Sequence, residues 1–203
     1  MRRRLTLKAI LLASCLLSAC GSDDGDSPFP SMWNEIVCLT TDSQGRIRQL
    51  VTDAGNSYEV TNSLYGSKAN AQYRMMCGYT LSGQQATLYQ TIAVHVLQDS
   101  TLCMTHDPLN AIAVWKSGSF INLHLAPLTQ GGSHTWGFAT DSISANGHHY
   151  LSLHHRQGSD PLSYTQETYA SIPLAGIPEL AEGDSVSLSI YTFKGIKTWN
   201  FKR

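Results

Sequence analysis

The sequence predicts an all-β protein: a small OB-like barrel followed by an antiparallel β-sandwich, behind a signal peptide and a flexible tether. Two observations indicate this fold class. Apolar and polar residues alternate along most of the chain, as they do on half-buried strands, and turn-forming residues recur about every ten residues. The 3.6-residue periodicity of amphipathic helices is almost absent.

The first predicted domain, residues 32–103, is the barrel. Its first three strands form a meander, because DSQG at 42–45 and DAGN at 53–56 place Asp and Gly where the backbone must reverse. Residues 61–69 are less regular and could hold a short helix. Five strands with a break before the fourth suit an OB-like barrel. These strands are predicted at 33–42, 46–53, 57–62, 72–81 and 87–97.

The second predicted domain, residues 104–203, is the sandwich. Pro108 and Asn110 interrupt the strand pattern at 103–110, which we interpret as the junction between the domains. About seven short strands with alternating polarity are typical of a sandwich. They are predicted at 111–116, 120–126, 134–141, 148–155, 168–174, 185–193 and 196–202.

The last two of these strands predict a hairpin with a two-residue turn at Lys194-Gly195. This register places Ile190 opposite Trp199 and Leu188 opposite Phe201. Such a large apolar face must pack on a second sheet.

The N-terminus predicts export and lipid attachment. Basic residues at 2–4 and at Lys8 precede an apolar run at 9–19 that is too short for a permanent membrane span. This run ends in Leu-Ser-Ala-Cys, which resembles the lipobox of bacterial lipoproteins. The resemblance implies a signal peptide at 1–19 and acylation of Cys20, which would anchor the protein in a membrane.

An acidic tether is predicted at 20–31, where Gly, Ser, Asp and Pro cannot form a core. Asp23 and Asp24 directly follow the lipobox and resemble the surface-export signal of lipoproteins in one Gram-negative phylum. The resemblance implies a lipid-anchored protein of the outer membrane, exposed at the cell surface.

The charge of the mature chain argues against nucleic acid as a partner, and its cysteines predict free thiols. Cleavage before Cys20 leaves 14 − 4 = 10 Lys and Arg against 15 Asp and Glu, a formal charge of −5. An acidic chain is unsuited to nucleic acid, whose phosphates need basic partners. Cys38, Cys77 and Cys103 each lie among apolar residues, and we expect buried free thiols, although one pair among them could form a disulfide.

Several ordered stretches together resemble the NigD-like lipoproteins. The first domain contributes TDSQG and VTDAGNSYEV. The second contributes WKSGSFINLHL, TQGGSHTWGF, DPLSYTQETYASIPL and GDSVSLSIYTFKG. The resemblance covers nearly all of the mature chain and implies an OB-like domain followed by a β-sandwich. The family name implies a link to bacteriocins, but its members have no settled activity, so no site residues carry over.

Histidines are the first candidates for chemistry. On a strand, His149 and His155 share one face of HHYLSLHH, and His148 and His154 share the other, where His124 could lie beside them. Clustered imidazoles could bind zinc or copper. Residues six apart on a strand lie about 20 Å apart, so we expect a solvated polar face without a metal.

The other candidate constellations are weaker. His106-Asp107 could be half of a charge relay, but no G-x-S-x-G elbow presents a serine. Asp160 and Glu167 could form a carboxylate pair at an unknown separation. GGSH at 131–134 could form a binding loop next to Trp136, although a bend that enters a strand is the simpler interpretation.

We therefore expect no catalytic residue, metal or cofactor, and predict a non-catalytic envelope protein that binds a protein, peptide or glycan. Trp136, Tyr150 and Tyr164 are the candidate binding residues, because exposed aromatic side chains dominate many interfaces. The alternatives are an envelope hydrolase, which a cleft joining His106, Asp107 and a serine would favour, and a structural component of an envelope complex.

Overall fold

The structure is a computed structural model that describes residues 31–100 and 105–203. The predicted signal peptide, the acidic tether with Cys20, Asp23 and Asp24, and Cys103 all lie outside the described residues. Residues 31–203 belong to one compact unit. The described part of the chain is almost entirely β-structure. Its one helical element is the three-residue 3-10 turn Leu174–Gly176. In the same residues, no helix is long and apolar enough to cross a membrane.

The first half is a closed five-stranded barrel, which confirms the predicted OB-like fold. Its strands pair in the order β3-β2-β1-β4-β5, and a parallel pairing of β3 with β5 closes the ring. Side chains from alternate positions fill its interior, among them Leu39, Leu50 and Tyr79. The strands are β1 Met32–Thr41, β2 Ile47–Thr52, β3 Ser57–Val60, β4 Gln72–Ser82 and β5 Gln85–Val96.

Both predicted meander turns are present. The Asp42 carboxylate accepts hydrogen bonds from the backbone N–H groups of Gln44 (2.9 Å) and Arg46 (2.9 Å), which stabilises the first turn. The helix predicted as a possibility at 61–69 is wrong. That segment is irregular, as its sequence also indicated, and its polar groups bond to other parts of the barrel. The Thr61 backbone N–H donates to the Ala86 carbonyl (3.0 Å), and the Lys68 backbone N–H donates to the Tyr73 hydroxyl (2.6 Å).

The second half is the predicted sandwich. One layer consists of β12, β7 and β6, and the other is a four-stranded sheet in the order β14-β13-β10-β9. Leu123, Phe138, Leu153 and Leu188 are buried between the layers. The strands are β6 Asn110–Ser117, β7 Phe120–Ala126, β8 Leu128–Thr129, β9 Thr135–Ile143, β10 His148–Arg156, β11 Tyr164–Thr165, β12 Thr168–Pro173, β13 Ser185–Thr192 and β14 Gly195–Lys202.

Most of the sandwich pairings are antiparallel, but β10 and β13 run parallel, as do β5 and β12. The short strands β8 and β11 pair only with each other and were not predicted. Two-residue strands carry too few alternating positions for a periodicity signal.

Strand β5 belongs to both halves. Its pairing with β4 ends at Ala93, and its pairing with β12 begins at Val94. The eight-stranded sheet therefore continues from the barrel into one layer of the sandwich.

The predicted register of the last hairpin is wrong by two residues. Leu188 lies opposite Trp199, and Thr192 lies opposite Gly195, so the turn is Phe193-Lys194. Gly195 follows the turn with φ +99°, a left-handed conformation that favours glycine. The prediction placed this glycine inside the turn, but a shift by two residues leaves the same side chains facing the core.

The two cysteines among the described residues are not bonded to each other. Cys38 is half-buried, Cys77 is buried, and both are free thiols. Burial is the main cause that raises the pKa of Cys77 to about 12, so this thiol is inert at neutral pH.

Candidate functional site

A cleft of about 250 Å³ opens where the short strand pair β8–β11 meets the end of β9. Its lining is mostly polar. The lining residues are His95, Pro127, Thr129, Gly132, Ser133, His134, Trp136, Gln166 and Thr168.

Asp160 lies beneath the wall of this cleft and accepts hydrogen bonds from the residues that form the wall. Its carboxylate accepts hydrogen bonds from the Thr129 hydroxyl and from the backbone N–H of Gln130 (3.0 Å). The side chain is only 4% exposed. The Thr129 hydroxyl is the largest cause that lowers the pKa of Asp160 to about 2, with smaller contributions from the Gln130 backbone and His134. Asp160 is therefore ionised at physiological pH.

Gly132 is required by this arrangement. A Cβ atom at this position would lie 2.6 Å from Cγ of Asp160, which is far inside van der Waals contact. Only glycine lets the loop approach the carboxylate so closely.

Two histidines extend the array from Asp160 to the backbone of residue 107. His134 Nε2 lies 3.0 Å from Asp160 Oδ2, and His134 Nδ1 lies 2.9 Å from His155 Nε2. At the far end, His155 Nδ1 lies 2.9 Å from the Asp107 carbonyl oxygen. We refer to Asp160, His134 and His155 as the histidine–aspartate array.

The hydrogen bonds fix the number of protons in the array. The Asp107 carbonyl only accepts, so His155 donates from Nδ1, and one further proton must lie between the two rings. The ionised Asp160 also only accepts, so His134 donates from Nε2. Three ring protons on two imidazoles give one positive charge, which the Asp160 carboxylate balances.

The positive charge belongs on the ring next to the carboxylate. Burial is the main cause that lowers the pKa of His155, which therefore stays neutral and accepts at Nε2. His134 then donates from both nitrogens.

All four ring nitrogens of the array are used within the protein, which limits its chemistry. A general base or a metal ligand needs a nitrogen lone pair that faces the substrate or the ion. Neither His134 nor His155 offers one. Among the described residues, no group of three or more His, Cys, Asp or Glu side chains is arranged to hold a metal ion.

Two of the three predicted binding residues lie near the cleft. Trp136 lines it, half-buried, with one ring face stacked on His155 at a centroid distance of 4.4 Å. Tyr164 is 53% exposed on β11, and its hydroxyl lies beside Gly131. Tyr150 is also exposed, but it lies on β10 five positions from His155, about 17 Å along the strand. The structure therefore places Trp136 in the cleft and Tyr164 beside the loop that borders it, and leaves Tyr150 apart.

The prediction of a solvated histidine face on 148–155 is wrong. His149, His154 and His155 are each 1% exposed, and only His148 is partly exposed. The segment that begins at 105 packs over the end of β10, and the His106 ring contacts the His154 ring at a centroid distance of 4.9 Å. Burial is the main cause that lowers the pKa of His154.

His124 is not a partner of these histidines. It lies on β7 in the other layer, stacks on Tyr169 at a centroid distance of 4.4 Å, and contacts the Glu167 carboxylate at 2.9 Å. Glu167 and Asp160 thus have separate histidine partners, and nothing in their contacts makes them a pair.

The structure does not connect His106 and Asp107 as a relay. His106 Nδ1 lies 3.2 Å from the Leu153 carbonyl, and the Asp107 carboxylate accepts the Gln157 backbone N–H at 2.8 Å. Within the described residues, no serine is hydrogen-bonded to His106.

A serine does lie between a histidine and an acid elsewhere on β10. The Ser152 hydroxyl donates to Asp141 at 2.9 Å and lies 3.5 Å from His154 Nε2. In a nucleophilic triad the histidine lies between the acid and the serine. Here the hydroxyl proton points to the carboxylate, so the histidine cannot activate the oxygen.

Sequence reasoning missed the array itself and the role of Thr129. The three members of the array come from different segments, and no local spacing links residues 134, 155 and 160. The one signal in the sequence was GGSH at 131–134, where two glycines permit unusual backbone angles before the strand that carries Trp136.

The fold and the cleft together define a two-part all-β protein with a polar cleft on its sandwich. Residues 93–203, which are 111 of the 203 residues, match the model of the NigD-like C-terminal β-sandwich domain. The chain belongs to the NigD-like family. The match begins at Ala93, where β5 passes from the barrel to the sandwich.

Solved structures share this fold. A NigD-like immunity protein from Bacteroides caccae is 22% identical with a TM-score of 0.66, over 85% of this chain and 93% of that one. A candidate toxin-related protein from Parabacteroides distasonis is 13% identical with a TM-score of 0.68, over 85% and 93%. A candidate lipoprotein from Bacteroides fragilis is 10% identical with a TM-score of 0.56, over 85% and 97%. Among curated proteins, no sequence matches the chain.

Proposed function

We propose that the protein is an envelope lipoprotein that binds a ligand in the cleft beside Trp136 without changing it chemically. The observation that carries this proposal is the histidine–aspartate array. The array supports the wall of a polar cleft. Every nitrogen of its two imidazoles takes part in a hydrogen bond within the protein. Such an array stabilises a binding surface, and neither of its two imidazoles can act as a base for catalysis.

The proposed binding surface combines the cleft with its aromatic rim. Trp136 contributes the exposed part of its indole ring, and Tyr164 lies on β11, opposite the lining residue Thr129. Tyr150 would belong to a second, separate contact. Aromatic side chains of this kind provide a large contact area at low conformational cost.

The envelope location rests on the sequence and on the fold. Cys20 follows an apolar run in a lipobox pattern, and the B. fragilis protein with a similar fold is a candidate lipoprotein. Acylation at Cys20 would place the protein on the outer membrane, and Asp23 and Asp24 would direct it to the cell surface. Metabolic labelling with a fatty acid should mark the wild type and not the Cys20→Ala variant.

A narrower role is protection from a toxic protein. The B. caccae structure with a similar fold is described as an immunity protein. A strain that carries the gene should then survive a bacteriocin that kills a deletion strain. Equal killing of both strains would contradict the protective role and would not contradict ligand binding in the cleft.

Ligand binding is tested with the full chain purified in detergent micelles. Peptide, ester and glycan libraries are added, and amide NMR shifts and reaction products are recorded together. We expect shifts at 127–136 and 160–168 without product. Turnover that is lost on changing His106, His134 or Asp160 to Ala would contradict the proposal in favour of a hydrolase.

A further inference from the structure

We propose that the cleft is built for an uncharged, hydroxyl-rich ligand, a neutral saccharide. This inference rests on the proposed binding function and narrows it to one ligand class. It follows from the charge balance of the lining, from the type of its hydrogen-bonding groups and from the pairing of the strands around it.

The charge balance argues against an ionic ligand. The formal charges at the cleft wall are those of His134 and Asp160, which are paired with each other at 3.0 Å, and their side chains are 6% and 4% exposed. Desolvation lowers the pKa of His95 at the rim, so this ring is neutral at physiological pH. A charged ligand would lose water in the cleft without gaining a counter-ion, which is unfavourable.

The hydrogen-bonding groups match hydroxyl groups. Ser133, Gln166 and Thr168 line the cleft, and their side chains make no hydrogen bond to the described residues. Each of these side chains can both donate and accept. A sugar hydroxyl also donates and accepts, so each such contact can be satisfied in either direction.

The apolar part of the lining suits a sugar ring. Pro127 and the exposed portion of Trp136 present carbon atoms among the polar groups. A saccharide has apolar C–H faces between its hydroxyls and can cover such a surface. The volume of about 250 Å³ is just below the range of drug-sized sites, so one ring or the end of an oligosaccharide would enter.

The strand pairing argues against an extended peptide, which is usually bound by adding a strand to an open sheet edge. Strand β12, which carries Thr168, is paired on both edges, with β5 and β7. Strand β9, which carries Trp136, pairs with β10, and on its other edge Phe138 bonds to Gln98 (3.2 Å) and Ser100 (2.9 Å). The pair β8–β11 has only two residues in each strand, too few to add an extended peptide as a further strand. The ligand must therefore be held mainly by side chains.

The test is isothermal titration of the full chain, in detergent, with matched small probes. Glucose and N-acetylglucosamine are the neutral probes, glucuronic acid and glucosamine carry a charge of either sign, and an acetylated tripeptide amide represents a peptide. We expect binding of a neutral saccharide, and binding of its charged analogues at least about tenfold weaker because of their desolvation.

Two variants locate the binding. Gln166→Ala removes one exposed neutral hydrogen-bonding group and should weaken binding about fivefold, whereas Gln84→Ala, on an exposed turn of the barrel, should leave it unchanged. The inference would be overturned if a charged probe bound more tightly than the neutral ones, or if Gln166→Ala left the affinity for the saccharide unchanged. Binding of the tripeptide alone, weakened by Gln166→Ala, would overturn it and leave the proposed function intact. If no probe and no library member binds at the cleft, the proposed binding function and the saccharide inference are both wrong.

Discussion

Asp160 connects two loops that are far apart in the sequence. It accepts hydrogen bonds from Thr129, Gln130 and His134, and its own carbonyl oxygen accepts the Gln157 side chain at 2.7 Å. Because these contacts meet at one carboxylate, a small change beside Asp160 should alter the whole cleft wall.

The close approach of Gly132 to Asp160 leads to the first prediction. Gly132→Ala should lower the free energy of unfolding by about 1–3 kcal/mol, the usual cost of overpacking, because the new methyl group would overlap the carboxylate. Gly176→Ala is the matched control, since its Cβ would lie 3.9 Å from Pro173, an ordinary contact. Urea denaturation measures both. Equal stability of the two variants would show that the loop does not approach Asp160 as described.

The second prediction concerns acid. The pKa of Asp160 is about 2 in the folded protein, below its ordinary value of 3.8, so the unfolded chain binds more protons between these values. The stabilisation by Asp160 is complete above about pH 4 and is lost as the pH falls through about 2. Wild-type stability should therefore decline between pH 4 and pH 2 more steeply than that of Asp160→Asn. Parallel declines would contradict the ionised array.

The candidate site could be predicted only in part. Trp136 and the GGSH loop were found because a glycine pair before an aromatic strand is a local signal. The sequence indicated His155 and Asp160 as separate candidates. It did not indicate that both contact His134, because those contacts depend on tertiary packing. The expectation of solvated histidines on β10 failed for the same reason. Strand phase predicts which side chains share a face, but it does not predict which segment covers that face.

Among the strands, β5 has the largest structural role because it serves both halves. Next to it, a buried ion pair joins the barrel to the sandwich. Arg74 on β4 donates to the Asp53 carboxylate at 2.7 and 2.8 Å, and further bonds lead to Asn122 on β7 and Ser171 on β12. The Phe120 ring lies 3.6 Å from the guanidinium carbon.

The third prediction follows from this ion pair. Arg74→Met should cost about 3–5 kcal/mol, because it leaves the buried Asp53 carboxylate without an opposite charge, with only the Asn122 side-chain amide still donating to it. The double variant Arg74→Met/Asp53→Leu should recover part of that loss. Arg48→Met is the control and should change stability little, since Arg48 is 49% exposed in its pair with Asp42. Urea midpoints that do not distinguish Arg74→Met from Arg48→Met would contradict the role of the pair.

The strands themselves were largely predictable, because alternation survives wherever one face is buried. The register in which the strands pair was harder to predict. The last hairpin was displaced by two residues, since the sequence does not distinguish a glycine inside a turn from one directly after it.

For the molecule as a whole, the division into domains at residues 103 and 104 remains a prediction. The sharing of β5 refines it, because a fragment that starts at 104 lacks the strand that pairs with β12. We expect fragments 31–103 and 104–203 each to fold, and fragment 93–203 to unfold at a higher urea concentration than 104–203. Failure of both halves to fold would indicate a single intertwined domain.

The most direct test of the central claim, that the cleft beside Trp136 is the binding site, is NMR mapping of the bound ligand on the uniformly labelled full chain. Titration with the ligand identified by screening should shift the amides of Thr129, Ser133, Gln166 and Thr168 together. Shifts confined to the polar groove of the barrel around Gln49, Tyr58 and Gln85, with the cleft amides unchanged, would contradict it.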